Sequence, residues 1–356
     1  MNAIQAGSEH EQRGAGEAGT YPGVTMKAAT YRRFGGPEVV HIEEVPKPTP
    51  RPDEVLIRVH SSTLSAAAHR ARSRSVPAGL EVLSALALGV FRPRRWVLGM
   101  DVAGVVEATG SAVSKFSVGD EVVAMLGAKF GGHAEYVTVP QDGPITAKPR
   151  TMNFAEAVTL VFGGLPARAF LSLADVGPGN TVLINGASGA VGTAAVQLAK
   201  HLGAHVTAVC SGGNGGLVAS LGADRVIDYT AVDFTAGGQT YDVIMDCVGN
   251  APFSRVAASL NPGGALLLVI ADLKAMLQAP GNSRRSGKLV TAGDLRLKYT
   301  AEDLTALVRL AEDGGYKAVI DRTYPLTEIV QAHRFVDTGR KRGNVIVQVT
   351  SEYANR

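Results

Sequence analysis

Two hydrophobic rhythms divide the chain. From Met26 to about Arg150, short apolar runs alternate with proline and glycine breaks. "EVLIRVHSST" (Glu54 to Thr63), "VAGVVEATG" (Val102 to Gly110), "DEVVAML" (Asp120 to Leu126) and "HAEYVTVP" (His133 to Pro140) read as strands. Their close spacing and frequent turns predict a compact antiparallel, barrel-like unit. "KPTPRPDE" (Lys47 to Glu54) is a proline-stiffened connector. From Thr151 the rhythm changes. "NFAEAVTLVFGGLPARAFLSLA" has helical periodicity, with Asn153 as N-cap and Glu156 three residues on. Strand and helix patterns then alternate: "TVLING", a helix over about 190–202, "HVTAVC", "LVASLGA", "RVIDY", "YDVIMDCVG", "SRVAASL" and "GGALLLVI". The strands here are apolar throughout, as in a parallel sheet covered on both faces.

The end of the chain differs again. "EDLTALVRLAEDGGY" predicts an amphipathic helix, and "AVIDRTYPL" and "NVIVQV" predict strands around the helix "TEIVQAHRFVDTG". These last strands are expected to return to the first unit. Residues 271–300 are polar, with "GNSRRSGK" at their centre, and predict a loop or cap. The expected division is a polar, disordered tail over 1–25, a barrel domain over 26–150 plus 318–356, and a doubly wound α/β domain over 151–317.

Composition narrows the choices. At 356 residues there is room for two cores, and 46% hydrophobic against 19% charged residues excludes a disordered chain. A formal charge of +3 gives no support to a nucleic-acid partner. The longest apolar run, Leu80 to Val90, is interrupted by Glu81, Ser84 and Gly89, so no membrane partner is expected. The two cysteines, Cys210 and Cys247, sit in separate strand-like runs, which predicts no disulfide framework, a cytoplasmic setting and no thiolate zinc site.

The chemistry centres on "NGASGAVGTAAVQLAK", Asn185 to Lys200. Gly186, Gly189 and Gly192 stand between a predicted strand and helix. That spacing fits a dinucleotide fingerprint, in which backbone amides at a helix N-terminus receive a pyrophosphate. The window after the next strand, "AVCSGGNGG" (Ala208 to Gly216), holds no acid to bind ribose hydroxyls. Ser211 and Asn214 can donate to a 2′-phosphate instead, which favours NADP(H) over NAD(H).

Several long segments, in order, resemble the medium-chain dehydrogenase/reductase superfamily, in its zinc-free quinone oxidoreductase-like branch. They include "VLGMDVAGVVEATGSAVSKFSVGDEVVAM", "INGASGAVGTAAVQLAKHLGAHVTAVCS" and "VIDRTYPLTEIVQAHRFVDTGRKRGNVIVQV". The resemblance covers most of residues 26–350. It implies an α/β fold: a GroES-like β-barrel domain plus a Rossmann-type doubly wound parallel sheet, with the site between them. It also implies hydride transfer from NADPH to a quinone or an α,β-unsaturated carbonyl, and a homodimer. Residue by residue, it implies pyrophosphate contacts at Ser188, Gly189, Ala190 and Val191, and 2′-phosphate contacts at Ser211, Asn214 and Tyr229. The nicotinamide edge falls on the backbone of Cys247, Val248 and Gly249 and on Ile270, and Asn344 falls at a position that reaches the cofactor.

Three departures bear on activity. Zinc-dependent relatives have His where this chain has Met100, and no metal is expected. The Asn and Asp of "S-x-N-P-x-D-W" become Ser65 and Ala68, and a Thr beside the nicotinamide becomes Pro166. Ser65 and His69 are the remaining polar candidates for catalysis, against the alternative that His69 is a surface residue in a basic loop. Trp96, Met100 and Phe130 are candidate pocket residues. "HRARSR" and "RPRR" carry six arginines that either attract an anion or form a solvated face. Besides a quinone or enone reductase, the sequence admits a specialised enzyme acting on a carrier-bound or polycyclic intermediate. It also admits a non-catalytic NADPH-binding protein.

Overall fold

The computed structural model describes residues 20–293 and 297–350. The chain opens with a hairpin, β1 (Thr20–Tyr31) against β2 (Val40–Pro48). The expected tail over 1–25 is therefore too long: Thr20 already pairs with Pro48, and Thr25 with Pro46. Residues 1–19 lie outside the described residues.

β3 (Glu54–Thr63) is the centre of the barrel sheet, and nearly all of its side chains are buried. Two short helices follow, α1 (Ala66–Ser73) and α2 (Glu81–Leu88). Then come β4 (Asp101–Thr109), β5 (Glu121–Met125), β6 (Tyr136–Pro140) and β7 (Ile145–Ala147). β3 pairs antiparallel with both β4 and β6. Val55, Ile57, Val59, Val102, Val122 and Ile145 fill the barrel's inner core, as the alternation of short apolar strands requires.

The helical stretch after Asn153 is one continuous pattern in sequence but three pieces in space: α3 (Phe154–Ala157), a π-helical turn (Leu160–Gly164) and α4 (Leu165–Ser172). Asn153 and Glu156 close a reciprocal capping box, as their spacing predicts. The π turn falls where the backbone must pass close to its neighbours. A Cβ on Gly163 would lie 2.9 Å from the Ala190 carbonyl oxygen.

The second sheet is β8 (Thr181–Asn185), α5 (Ala190–His201), β9 (His205–Cys210), α6 (Gly215–Ser220), β10 (Arg225–Asp228), β11 (Tyr241–Asp246), α7 (Phe253–Val256) and β12 (Leu260–Leu268). It closes with α8 (Leu273–Ser286) and β13 (Leu289–Ala292). All of its pairings are parallel, in the order β10-β9-β8-β11-β12-β13. The strand order reverses between β8 and β11, where α/β sheets open a crevice at their C-terminal edge.

The expected loop over 271–300 is largely regular structure. Asp272 caps α8 by accepting from the Ala275 amide at 2.7 Å. Ser283 fastens α8 to β13 by donating to the Val290 carbonyl and accepting from its amide. Pro280, whose presence predicts a break, lies inside the helix. Packing of Ala279 and Met276 into the core below outweighs the lost hydrogen bond. After α9 (Ala301–Glu312), the strands β14 (Ile320–Pro325) and β15 (Asn344–Gln348) flank α10 (Ile329–Asp337) and join the barrel sheet in the order β14-β15-β3. The chain's end thus returns to its beginning, as expected.

Candidate functional site

The cleft lies between the barrel and the parallel sheet and has a volume of about 1370 Å³. Its floor is the turn from β8 into α5. Gly186 takes φ +79°, and a Cβ there would sit 2.6 Å from Val248 Cγ2. A Cβ on Gly192 would run into the Gly186 carbonyl. Gly186 requires glycine for its positive φ and the close Val248 side chain, and Gly192 because the backbone of Gly186 and Ala187 passes so close. Gly189 differs: a Cβ there would meet only the Gly186 oxygen, at 3.5 Å, so the space around it is open cleft. α5 begins here, and its first intrahelical bond runs from the Thr193 amide to the Gly189 carbonyl at 2.8 Å. The amides of Ala190, Val191 and Gly192 therefore have no partner within the helix and form an anion cradle. Ser188, Gly189, Ala190 and Val191 all line the cleft. The residues present fit a dinucleotide pyrophosphate.

Ser211, Asn214 and Tyr229 line the next section. Asn214 Nδ2 donates to Ser211 Oγ and Ser188 Oγ at 3.1 and 3.2 Å, tying the two loops together. An acid does approach this window from the neighbouring strand. Asp228 accepts from Thr230 at 2.9 and 2.7 Å, and from the Gly212 amide, and these bonds hold its carboxyl below the usual range. Asp228 does not itself line the cleft.

The cations that sequence reasoning did not find come from the far end of the chain. The Gly343 amide donates to the Ser188 carbonyl at 2.8 Å, and Gly343 bridges to Gly189. This docks the loop after α10 on the glycine turn, and Arg340 and Lys341 line the cleft from it. Lys341 Nζ donates to the Gly343 carbonyl at 2.7 Å. Burial lowers its pKa to about 8, while Asp321 opposes the fall. With Arg70 and Arg255 the cleft wall carries four cations against one acid, Asp233, and Asp233 already pairs with Arg255 at 3.1 Å. Asn344, the residue expected from this loop, is not part of the wall. It is buried, and its amide nitrogen lies 3.3 Å from the Val319 carbonyl it donates to.

Cys247, Val248 and Ile270 line the far side of the cradle, and Gly249 packs against Ile270. The amides of this backbone are already engaged. The Val248 and Gly249 amides donate to Asp246 Oδ1 at 2.9 and 3.1 Å, and the Cys247 amide donates to the Asn185 carbonyl at 3.0 Å. These three donors are spent, so the loop offers a nicotinamide only carbonyl acceptors. Burial and the neighbouring Asp246 push the Cys247 thiol up, which keeps it protonated.

An apolar wall is formed by Met100 and Met125 from the barrel and by Phe162, Pro166 and Phe170 from the π turn and α4. Met100 falls where expected. Trp96 and Phe130 do not. Phe130 is buried in a separate core with Leu64 and Leu98, and Trp96 packs on the outer surface under Arg32, 4.2 Å from its ring. Ser65 and His69 are also placed elsewhere. Ser65 is buried and caps α1 by accepting from the Ala68 amide at 3.2 Å. His69 Nδ1 lies 2.6 Å from Asp337, outside the cleft, in a network around the buried Arg72. Tyr299, a residue sequence reasoning missed, also lines the cleft, and burial raises its pKa.

The donor set does not suit a metal. Among the described residues no three of His, Cys, Asp and Glu gather. Asp101, beside Met100, is fully buried and holds bonds from Ser62 and Thr63, with its pKa raised by burial to about 7.

A parallel doubly wound sheet with a phosphate cradle, closed against a barrel by an apolar wall, defines a dinucleotide-dependent oxidoreductase. Residues 51–150 match the alcohol dehydrogenase GroES-like domain, and residues 221–347 match the zinc-binding dehydrogenase family. The chain is 33% identical over 341 residues to a chloroplast envelope quinone oxidoreductase homolog of Arabidopsis thaliana, covering 92% of this chain and 99% of the relative. It is 32% identical to a 2-methylene-furan-3-one reductase of Solanum lycopersicum, over 90% of this chain and 79% of that one. The solved quinone oxidoreductase from Coxiella burnetii superposes with a TM-score of 0.81 at 29% identity, covering 92% of this chain and all of that one. The chain belongs to the medium-chain dehydrogenase/reductase superfamily, in its zinc-free quinone oxidoreductase-like branch. Its role at the level of the family is that of a zinc-independent, NAD(P)H-dependent oxidoreductase. The expectation of a cytoplasmic setting is overturned: relatives of this similarity are named as chloroplastic and as mitochondrial proteins.

Proposed function

We propose that the protein uses NADPH to reduce a quinone or an α,β-unsaturated carbonyl compound. The observation that carries the NADPH preference is the placement of Arg340 and Lys341 beside the glycine turn. A fourfold excess of cations over acids along a dinucleotide-sized cleft favours the ligand with the extra phosphate. Ser211, Asn214 and Tyr229 line the adjoining section of the cleft, and Asp228, which approaches from the neighbouring strand, is not part of that lining. In this reading the pyrophosphate rests on the amides of Ala190 and Val191, and the nicotinamide lies between Ile270 and the apolar wall.

The bound NADPH supplies a hydride. The chain's own work is to orient and to exclude water. Met100, Met125, Phe162 and Pro166 give a flat, conjugated acceptor an apolar wall. The Cys247–Gly249 carbonyls accept from the carboxamide. The Tyr299 hydroxyl and Arg70 are the polar groups at the acceptor's end, where Tyr299 holds a proton that the reduced oxygen or carbon can take. Relatives named for quinone and for 2-methylene-furan-3-one reduction motivate the acceptor class.

The test is oxidation of NADPH, with NADH in parallel, against a panel of quinones and enones, together with Arg340→Ala. Turnover with NADPH preferred is expected. Loss of one charged hydrogen bond should raise the NADPH dissociation constant about 10- to 100-fold and leave NADH nearly unchanged. Equal loss for both cofactors would assign Arg340 to the pyrophosphate. No turnover with any acceptor would remove the substrate reading.

A further inference from the structure

One face of the molecule is apolar, exposed and ringed by cations. No residue of α2 is buried. Val82, Leu83 and Leu86, three and four positions apart, share one side of it and are 71%, 54% and 56% exposed. Phe91, just beyond the helix, is 90% exposed. Leu277, on α8, is 73% exposed. α8 starts close by, since the Leu273 amide donates to the Ala78 carbonyl at 3.0 Å. A folded chain rarely leaves large apolar side chains contiguous in water without a partner.

Cations outnumber acids around this face. Between Arg74 and Met100 stand four arginines and a single acid, Glu81, while Arg72 is buried against Asp337 and Arg70 lines the cleft. Arg92, Arg94 and Arg95 follow Phe91 directly, and among the described residues no carboxylate pairs with their side chains. Beside Phe91 a surface recess of about 610 Å³ is lined by Arg32, Arg33, His41, Arg92 and Trp96. Arg32 is partly neutralised by Glu43 at 2.7 Å, while Arg33 is exposed. Apolar side chains that reach outward inside a rim of arginines match the two layers of an anionic lipid surface, acyl chains within and phosphates around them.

We propose that this face docks the protein on the surface of an anionic lipid bilayer, with Leu86 and Phe91 entering the apolar layer and Arg92, Arg94 and Arg95 meeting lipid phosphates. The protein lies on the membrane and does not cross it. Among the described residues the one helical run long and apolar enough to span, Phe154–Ser172, is 72% buried within the core. The docking segment is held at both ends by walls of the cleft, Ala66 to Arg70 on one side and Met100 on the other. Docking would therefore set the cleft close to the apolar layer, where a lipophilic acceptor dissolves. The docking face itself does not depend on which cofactor or acceptor the cleft takes.

The test is co-sedimentation of the full chain with vesicles of phosphatidylcholine alone and of two parts phosphatidylcholine to one part phosphatidylglycerol. The expected result is pelleting with the anionic vesicles only, weakened by half-molar salt. A cation near an anionic surface strengthens partitioning by roughly fivefold, so Arg92→Gln, Arg94→Gln and Arg95→Gln together should weaken it about 100-fold. Leu86→Ser with Phe91→Ser should weaken it by about tenfold or more. The urea midpoint of each variant, expected to match the parent, separates lost docking from lost folding. No pelleting overturns the proposal, as does pelleting that the two variant sets leave unchanged. So does a concentration-dependent dimer that Leu86→Ser with Phe91→Ser dissolves while vesicles bind nothing, because the face then belongs to a second copy of the chain.

Discussion

The three glycines of the turn look equivalent in sequence and are not equivalent in space. Gly186 is demanded by its positive φ and Gly192 by the backbone packed against it, whereas Gly189 borders open cleft. Gly192→Ala is therefore expected to destabilise the fold by about 1–3 kcal/mol through overpacking. Gly189→Ala, at an ordinary φ of −79°, should change stability by less than about 0.5 kcal/mol. Its methyl group would instead occupy ligand space and weaken NADPH binding by an order of magnitude or more. Urea midpoints and cofactor titrations on the two variants separate these roles; equal behaviour of the two would remove the distinction. Lys341 adds a pH dependence. Its pKa of about 8 leaves it charged below that value and neutral above. NADPH affinity should fall by up to about tenfold from about pH 7 to about pH 9, and Lys341→Met should flatten that profile. The stability term has its own sign. The unfolded chain binds the extra proton between about 8 and 10.5, so this group's contribution to stability rises with pH across that window.

At the scale of elements, what could be read from the sequence was what is local. β8 to α5, the capping box at Asn153 and the last strands follow from periodicity and spacing, because propensity and packing agree there. α8 could not be read, because Pro280 and Gly281 favour a break and the tertiary contacts of Ala279 and Ser283 decide otherwise. The π turn was also hidden, since one extra residue in a helix leaves its hydrophobic pattern nearly intact. The cradle's floor was legible residue by residue, but its cations were not. The phosphate window near Ser211 carries no Lys or Arg of its own. Arg340 and Lys341 reach the cleft only because Gly343 hydrogen-bonds to Ser188, about 155 positions away in sequence. Ser65 and His69 misled for the converse reason. A capping serine and a paired histidine look like catalytic groups until their partners, the Ala68 amide and Asp337, are in view.

The whole molecule fastens its end to its beginning by the pairing of β15 with β3 and, beside it, by Arg72. Arg72 is fully buried on α1, and one guanidinium reaches two other places in the chain, the turn at Gly35 and helix α10. It donates to both oxygens of Asp337 on α10 at 2.7 and 2.6 Å, to the Gly35 carbonyl at 2.8 Å, and to His333 Nδ1 at 3.2 Å. Asp337 precedes the loop that carries Arg340 and Lys341, so the same pair that closes the fold also sets the position of the cleft's cations. Truncation of a buried partner leaves the other charge without compensation, which costs about 3–5 kcal/mol; Asp337 keeps about a quarter of its side-chain surface, so Arg72→Ala is expected near the low end, about 3 kcal/mol. Arg72→Ala with Asp337→Ala should cost less than the sum of the two single changes, because the stranded carboxylate is gone. A urea midpoint for each of the four proteins gives the coupling directly. If the effects simply add, the pair does not act as a unit, and the position of the Gly339–Gly343 loop must be set by its other bonds, Gly343 to Ser188 and the Arg342 amide to Asp321.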